Sequence, residues 1–80
     1  MDTRQLVRDF VMSNFYVPDS VALADSASLL TTGIVDSTGM LEVIAFLEDT
    51  FAVTVSEDEM VPANLDSIEN ITRFVARKSG

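Results

Sequence analysis

The feature that most constrains this chain is a strongly periodic apolar pattern that begins directly after Asp36-Ser37. If a helix starts at Ser37, the apolar residues recur at the spacing of one buried helical face. These residues are Met40, Val43, Ile44, Leu47 and Phe51. The opposite face then holds Thr38, Glu42, Ala45 and Asp49. The sequence therefore predicts an amphipathic helix with an acidic outer face.

The serine at the start of this helix is the first candidate site. A side chain at a helix N-terminus is accessible to solvent, and it lies beside unpaired backbone N–H groups and the positive end of the helix dipole. A phosphate on the Ser37 oxygen would be well placed there. The alternative is that Ser37 simply caps the helix, because serine is a preferred N-cap residue.

The dipeptide Asp-Ser is weak evidence for a modification site, because it occurs four times in the chain. The other copies are Asp19-Ser20, Asp25-Ser26 and Asp66-Ser67. The first two lie in a loop with no periodic helix directly after them, and the third opens a helix whose exposed face is mixed in charge. Only Ser37 opens a helix with an acidic outer face, but from the residues alone a simple cap remains the favoured interpretation, and a modification site stays open as the alternative.

Composition limits the chemistry that the chain can perform. It contains no cysteine and no histidine, so a Ser-His or Cys-His catalytic pair cannot form and the usual zinc ligands are missing. We therefore expect a protein that is not an enzyme and holds no metal. The acidic run Glu57, Asp58 and Glu59 lacks the ligand spacing of an EF-hand loop.

The charge balance indicates the kind of partner. Thirteen acidic residues against five basic ones give a net charge of −8, which argues against nucleic acid and anionic membranes and favours basic protein surfaces. Hydrophobic residues make up 48% of the chain, enough to predict a packed core. With no leader pattern or membrane-spanning stretch, we expect a soluble, cytoplasmic protein that is monomeric.

The first third of the chain predicts one helix and a long loop. Asp2 or Thr3 can cap a helix that runs to about Tyr16, where Pro18 stops it. Its inner face would hold Leu6, Val7, Phe10, Val11, Asn14 and Phe15, with Asn14 interpreted as a polar residue at the edge of that face. The loop from 17 to 35 would be anchored in the core by Val21, Leu23, Leu29, Leu30 and Ile34.

The last third predicts an extended link and two further helices. Val53-Thr-Val55 is too short to make a sheet alone, Ser56-Glu-Asp-Glu59 fits a capping box, and Pro62-Ala-Asn-Leu65 fits a short helical turn. Asp66 or Ser67 then caps a last helix that runs to about Lys78. Its inner face would hold Ile68, Ile71, Phe74 and Val75. The sequence predicts one all-α domain over residues 1–80, a four-helix bundle with a long first loop and a short, irregular third helix.

This layout resembles the acyl carrier protein family. The resemblance is carried by Asp36-Ser37, the helix after them, and Phe51-Ala-Val-Thr-Val55 leading into the acidic turn. In that family the serine carries a 4′-phosphopantetheine arm derived from coenzyme A, which implies that Ser37 is the attachment site and Asp36 precedes it. Thr38 departs from the family pattern, in which most members have a large apolar residue. Gly33 lies one residue further upstream of the serine than the glycine commonly seen there.

The resemblance implies a carrier of acyl groups, held as thioesters on the arm and presented to partner enzymes. Those partners would be a phosphopantetheinyl transferase and acyl-loading and acyl-transfer enzymes with basic docking patches. The positions that contact partners in the family correspond to Thr38, Leu41, Glu42, Ala45, Glu48 and Asp49. Two alternatives stay open: an aminoacyl or peptidyl carrier, and an unmodified acidic helical adaptor.

Overall fold

The computed structural model describes residues 2–17 and 23–79, and within these ranges it is helical with no β-strand. The helices are α1 (Thr3–Asn14), α2 (Ser37–Phe51), α3 (Pro62–Leu65) and α4 (Ile68–Ser79). A turn of 3₁₀-helix at Glu57–Glu59 lies between α2 and α3. The predicted all-helical fold with four helical elements is confirmed, and it is compatible with a small helical bundle.

Helix α1 begins as predicted and ends earlier than predicted. The Asp2 side chain caps it by accepting a hydrogen bond from the Arg4 N–H at 3.1 Å. The helix stops at Asn14 instead of Tyr16, because Phe15 adopts an extended backbone (φ −128°, ψ 152°) that directs the chain towards α2. Pro18, the predicted stop, lies outside the described residues.

Helix α2 spans the predicted segment. Val43, Ile44 and Leu47 are buried, whereas Met40 and Phe51 at the two ends of the predicted face are only half-buried. The helix ends at Ala52, which adopts the left-handed conformation at φ 55°. The link predicted at Val53-Thr-Val55 follows directly and contains neither helix nor strand, and Val55 inserts into the core.

The first loop, described at residues 15–17 and 23–36, contributes Leu29, Ile34 and Val35 to the core. Leu23 is half-buried against it, and Val21 lies outside the described residues. The prediction that Leu30 is an anchor is wrong, since 39% of its surface is exposed. Its neighbour Leu29 occupies the core position, and a turn at this point leaves the Leu30 side chain in solvent.

Two aspartates fasten this loop to the helices. The Asp66 carboxylate accepts hydrogen bonds from the Ser28 hydroxyl at 2.6 Å and the Leu30 N–H at 2.9 Å. Asp25 pairs with Arg4 and Arg8 of α1, and its main-chain oxygen accepts from an N–H in the first turn of α4. The described part of the loop after residue 22 is therefore held against α1 and the start of α4.

The C-terminal part forms as predicted. The Glu59 carboxylate accepts from the Ser56 N–H at 3.0 Å, as in a capping box, and Pro62 stands at the first position of α3. Ser67 caps α4 by accepting from the Asn70 N–H at 3.0 Å. All four residues predicted for the inner face of α4 are buried: Ile68, Ile71, Phe74 and Val75.

Candidate functional site

The N-terminus of α2 is capped by Asp36. Its backbone is extended (φ −99°, ψ −174°), and its carboxylate Oδ1 accepts a hydrogen bond from the Gly39 N–H at 2.6 Å. This side chain satisfies one of the unpaired donors of the first turn. The alternative that Ser37 acts as the cap is therefore wrong, because the residue before it performs that role.

Ser37 is the first residue inside the helix and is exposed. Among the described residues, no side chain or main-chain group forms a hydrogen bond with its hydroxyl. The N–H groups of Ser37 and Thr38 also find no partner in this part of the chain, and they point towards the N-terminal end of a fifteen-residue helix. An accessible hydroxyl thus lies beside two N–H donors and the positive end of a helix dipole.

The other serines that follow aspartate lie in different surroundings. Ser67 is only 4% exposed, and its hydroxyl is engaged as the cap of α4. Ser26 is exposed in a turn and belongs to no helix, although the main-chain oxygen of Asp25 before it accepts from the Glu69 N–H in the first turn of α4. Ser20 lies outside the described residues. Of the three Asp-Ser pairs that the structure describes, only the one at Ser37 combines exposure with a helix N-terminus.

Gly39, in the first turn of α2, allows the ring of Phe15 to lie directly against the helix beside this site. The glycine is buried, and a Cβ at this position would lie 2.7 Å from Cε1 of Phe15 and 3.2 Å from Oδ1 of Asp36. The Phe15 ring therefore approaches the α2 backbone more closely than any side chain at position 39 would allow. This contact was not predicted, and its only sequence signal was a helix-weakening glycine within the first turn.

The six residues that the resemblance assigns to partner contact lie along the outer side of α2. Thr38, Glu42, Ala45 and Asp49 are exposed, and Leu41 has 61% of its surface in solvent. Glu48 is different, because it is half-buried and its carboxylate accepts a hydrogen bond from the Val55 N–H at 2.9 Å. Glu48 therefore ties α2 to the link that follows it.

A groove of about 560 Å³ lies between α1 and α2. Its walls are Phe10 and Asn14 from α1 and Glu42, Ala45, Phe46 and Asp49 from α2. The rings of Phe10 and Phe46 stack with centroids 4.1 Å apart and planes 17° apart, and both are half-buried. Sequence reasoning missed the α1 side of this groove. The polar Asn14 within the apolar spacing of α1 was the available signal.

The acidic turn at Glu57–Glu59 is tied to α4. Hydrogen bonds from the Ser56 N–H and from Lys78, whose Nζ lies 2.9 Å from a carboxylate oxygen, lower the pKa of Glu59 below its ordinary value. No group of three acidic side chains within the described ranges is placed to hold a metal ion. In the same ranges, no helix is both long enough and apolar enough to cross a membrane.

The candidate site thus consists of an exposed serine hydroxyl, an aspartate cap before it, and an acidic helix face that continues into an aromatic groove. Each part lies on α2 or directly against it. No protein-family model matches this chain, and a search of curated proteins finds no significant match either.

Proposed function

We propose that this protein is an acyl carrier, which holds acyl groups as thioesters on a 4′-phosphopantetheine arm attached to Ser37. The observation that carries the proposal is that Asp36 caps α2 through the Gly39 N–H and so leaves the Ser37 hydroxyl unengaged and exposed. If Ser37 itself capped the helix, its hydroxyl oxygen would accept a backbone hydrogen bond, and that bond would have to break before the serine could react.

The residues around Ser37 fit a phosphodiester. The unpaired N–H groups of Ser37 and Thr38 are donors suited to phosphate oxygens, and the helix dipole adds a favourable positive potential. The carboxylate of Asp36 is held in the cap by Gly39, at 2.6 Å from its N–H. When bound, the arm supplies the thiol that this cysteine-free chain lacks.

Attachment requires a separate enzyme, because the chain contains no histidine to act as a general base for the serine. A phosphopantetheinyl transferase would accept the proton of the Ser37 hydroxyl. The Ser37 oxygen would bond to the phosphorus that bears pantetheine in coenzyme A. The pyrophosphate bond breaks in the same step, and 3′,5′-adenosine bisphosphate leaves. The carrier itself contributes position and recognition.

The outer face of α2 would guide partner enzymes to this serine. Its carboxylates Glu42 and Asp49 attract basic surfaces and speed the encounter, while exposed Leu41 offers apolar contact beside the site. Tethering an acyl group on a flexible arm raises its effective concentration at each docked enzyme. The chain's excess of acidic residues supports basic protein partners.

A second candidate function is that of an unmodified acidic adaptor. The observation that favours it is the groove between α1 and α2, which offers a binding surface that does not depend on Ser37. The two functions differ in one measurable property, the acceptance of the arm. An aminoacyl or peptidyl carrier would accept the arm as well and would differ from an acyl carrier only in its cargo.

The test is intact-mass measurement after incubation of the protein with coenzyme A and a broad-specificity phosphopantetheinyl transferase. We expect the mass to rise by one phosphopantetheine and to stay unchanged in Ser37→Ala. Circular dichroism of that variant should match the wild type, since Ser37 is exposed and its hydroxyl forms no hydrogen bond within the described chain. No mass change with several different transferases would overturn the carrier proposal and leave the adaptor.

A further inference from the structure

We propose that the docking surface of this protein extends from α2 onto α1 through the aromatic groove, and that the groove receives an apolar side chain flanked by two cationic side chains of a partner protein. This inference rests on the proposed function, because the partner is taken to be an enzyme that acts at Ser37. Binding in the groove does not require the phosphopantetheine arm.

The floor of the groove is apolar and incompletely covered. Phe10 and Phe46 line the groove and stack on one another. Phe51 does not line it, but its ring supports Phe46 by meeting it edge to face at a centroid distance of 6.0 Å. All three aromatic side chains are half-buried. Aromatic rings left partly in solvent at the bottom of a concave surface offer apolar area that a partner side chain can cover.

The rim of the groove is acidic at two separated points. Glu42 and Asp49 are seven residues apart on α2, so they are offset by about 10 Å along the helix axis. Ala45 lies between them and is exposed. Its methyl group leaves space for an incoming side chain, and a longer residue there would fill the groove. The rim therefore matches a partner with two positive charges at about this spacing and an apolar residue between them.

The opposite wall is supplied by the last turn of α1. The Asn14 side-chain amide donates to the Phe10 main-chain oxygen at 2.9 Å, which holds this polar side chain against its own helix where it lines the groove. Asn14 is exposed and uncharged, and it therefore does not repel a cation. Its neighbour Ser13 is equally exposed on α1 but is not part of the groove wall.

Charge complementarity identifies the occupant as a basic, amphipathic protein segment. A net charge of −8 opposes anionic lipids and nucleic acids. Two cationic side chains two helical turns apart, with an apolar residue midway, define one face of a helix that could lie along α2. Such a segment would pair with both carboxylates while its central side chain rests on Phe10 and Phe46.

The experiment uses the full chain with Ser37→Ala, so that no arm can contribute. The probe is a fluorescent, helix-forming synthetic peptide with two arginines two turns apart and a leucine midway, and binding is measured by anisotropy. The α1 wall is tested by Asn14→Arg against the matched control Ser13→Arg. The acidic rim is tested by Glu42→Lys with Asp49→Lys, against Glu57→Lys with Asp58→Lys at the exposed acidic turn.

We expect Asn14→Arg and the rim pair to weaken binding by about tenfold or more. The two controls carry the same change of charge and should alter it less than about threefold. Equal losses in test and control variants would overturn the proposal, because bulk charge would then explain binding. Equal effects of Asn14→Arg and Ser13→Arg, or no binding of the probe to the parent chain, would overturn it too.

The experiments distinguish failure of the groove proposal from failure of the proposed carrier function. If the wild-type chain accepts the arm while the groove variants bind the probe normally, the carrier function stands and the groove proposal fails. If the probe binds in the groove and Ser37 never accepts the arm, the groove stands as the surface of an adaptor and the carrier proposal fails.

Discussion

The two sides of α1 are built differently. Towards α4, α1 presents Val7 and Val11, which are fully buried in the same core cluster as Phe74, and the two helices pack closely. Towards α2, it presents Phe10, whose ring stacks on Phe46 but stays partly in solvent. Here the side chains meet around an open groove, and the helix backbones approach each other less closely than those of α1 and α4.

Under the proposed function, the two sides of α1 would serve different ends, one stability and the other recognition. The α1–α4 side removes aliphatic surface from water completely and should carry much of the folding free energy. The α1–α2 side leaves aromatic and acidic groups accessible beside Ser37, where a partner could use them. A substitution between α1 and α4 should therefore alter stability. A substitution on the exposed surface between α1 and α2 should alter partner binding.

The largest expected effect is on stability, from truncation of the buried side. Phe74→Ala removes a ring that is 1% exposed, and we expect a loss of about 3–5 kcal/mol of unfolding free energy. Leu41→Ala on the outer face of α2 should cost less than about 0.5 kcal/mol, because most of that side chain is already in solvent. Chemical denaturation of both variants measures the contrast, and equal losses would contradict it.

A smaller effect is expected where the first loop meets the start of α2. Alanine has a better helix propensity than glycine by about 1 kcal/mol, but in Gly39→Ala the new methyl would collide with Phe15. Overpacking of this kind typically costs about 1–3 kcal/mol, so we expect a net destabilisation. Phe15→Leu removes the two ring atoms of Phe15 that lie nearest.

The informative quantity is how far the Gly39→Ala effect depends on the Phe15 ring. The loss of stability should be larger in the wild-type chain than in the Phe15→Leu chain, where Oδ1 of Asp36 at 3.2 Å remains close to the new methyl group. A double-mutant cycle of thermal or denaturant unfolding measures the difference. Equal effects in both backgrounds would show that the Phe15 ring does not restrict this position.

The smallest effect concerns the acidic turn, which lies on neither side of α1. The pKa of Glu59 is lowered in the folded state by the Ser56 N–H and by Lys78, so its ionised form stabilises the fold. That contribution is present above about pH 4.3, the value of an unperturbed glutamate, and is lost as the pH falls through the lower folded pKa. Glu59→Gln should therefore lower the melting temperature near neutral pH and have no effect in strong acid.

The matched control for this prediction is Glu57→Gln, an exposed carboxylate on the same turn. Melting curves from neutral pH down to about pH 2 should converge for wild type and Glu59→Gln as the folded carboxylate becomes protonated. A constant difference between the two proteins across that range would exclude ionisation of Glu59 as the cause.

The parts of the fold that could be predicted from the sequence are those set by local pattern. The inner faces of α2 and α4 follow from the spacing of apolar residues, and Pro62 marks the start of α3. The early end of α1 could not be predicted from the local pattern, which continues to Phe15, whereas the Phe15 backbone is extended and its ring lies against Gly39, far away in the sequence.

The candidate site divides in the same way. Ser37 and the acidic face of α2 were visible in the sequence. Asp36 and Ser37 are both good capping residues, however, so only the backbone geometry identifies Asp36 as the cap. The groove depends on how α1 packs against α2, and pattern within either helix alone could not reveal it. The half-buried state of Glu48 likewise depends on where the chain turns after Ala52.

We propose that the Asp36 cap makes Ser37 the reactive serine, because it leaves the Ser37 hydroxyl exposed and without a hydrogen bond within the described residues. Tandem mass spectrometry of peptides from the transferase-treated protein tests this most directly, because it assigns the added group to a residue. We expect phosphopantetheine on Ser37 alone, and none on Ser20, Ser26 or Ser67. Phosphopantetheine on any of those three serines, or its persistence in Ser37→Ala, would contradict the proposal.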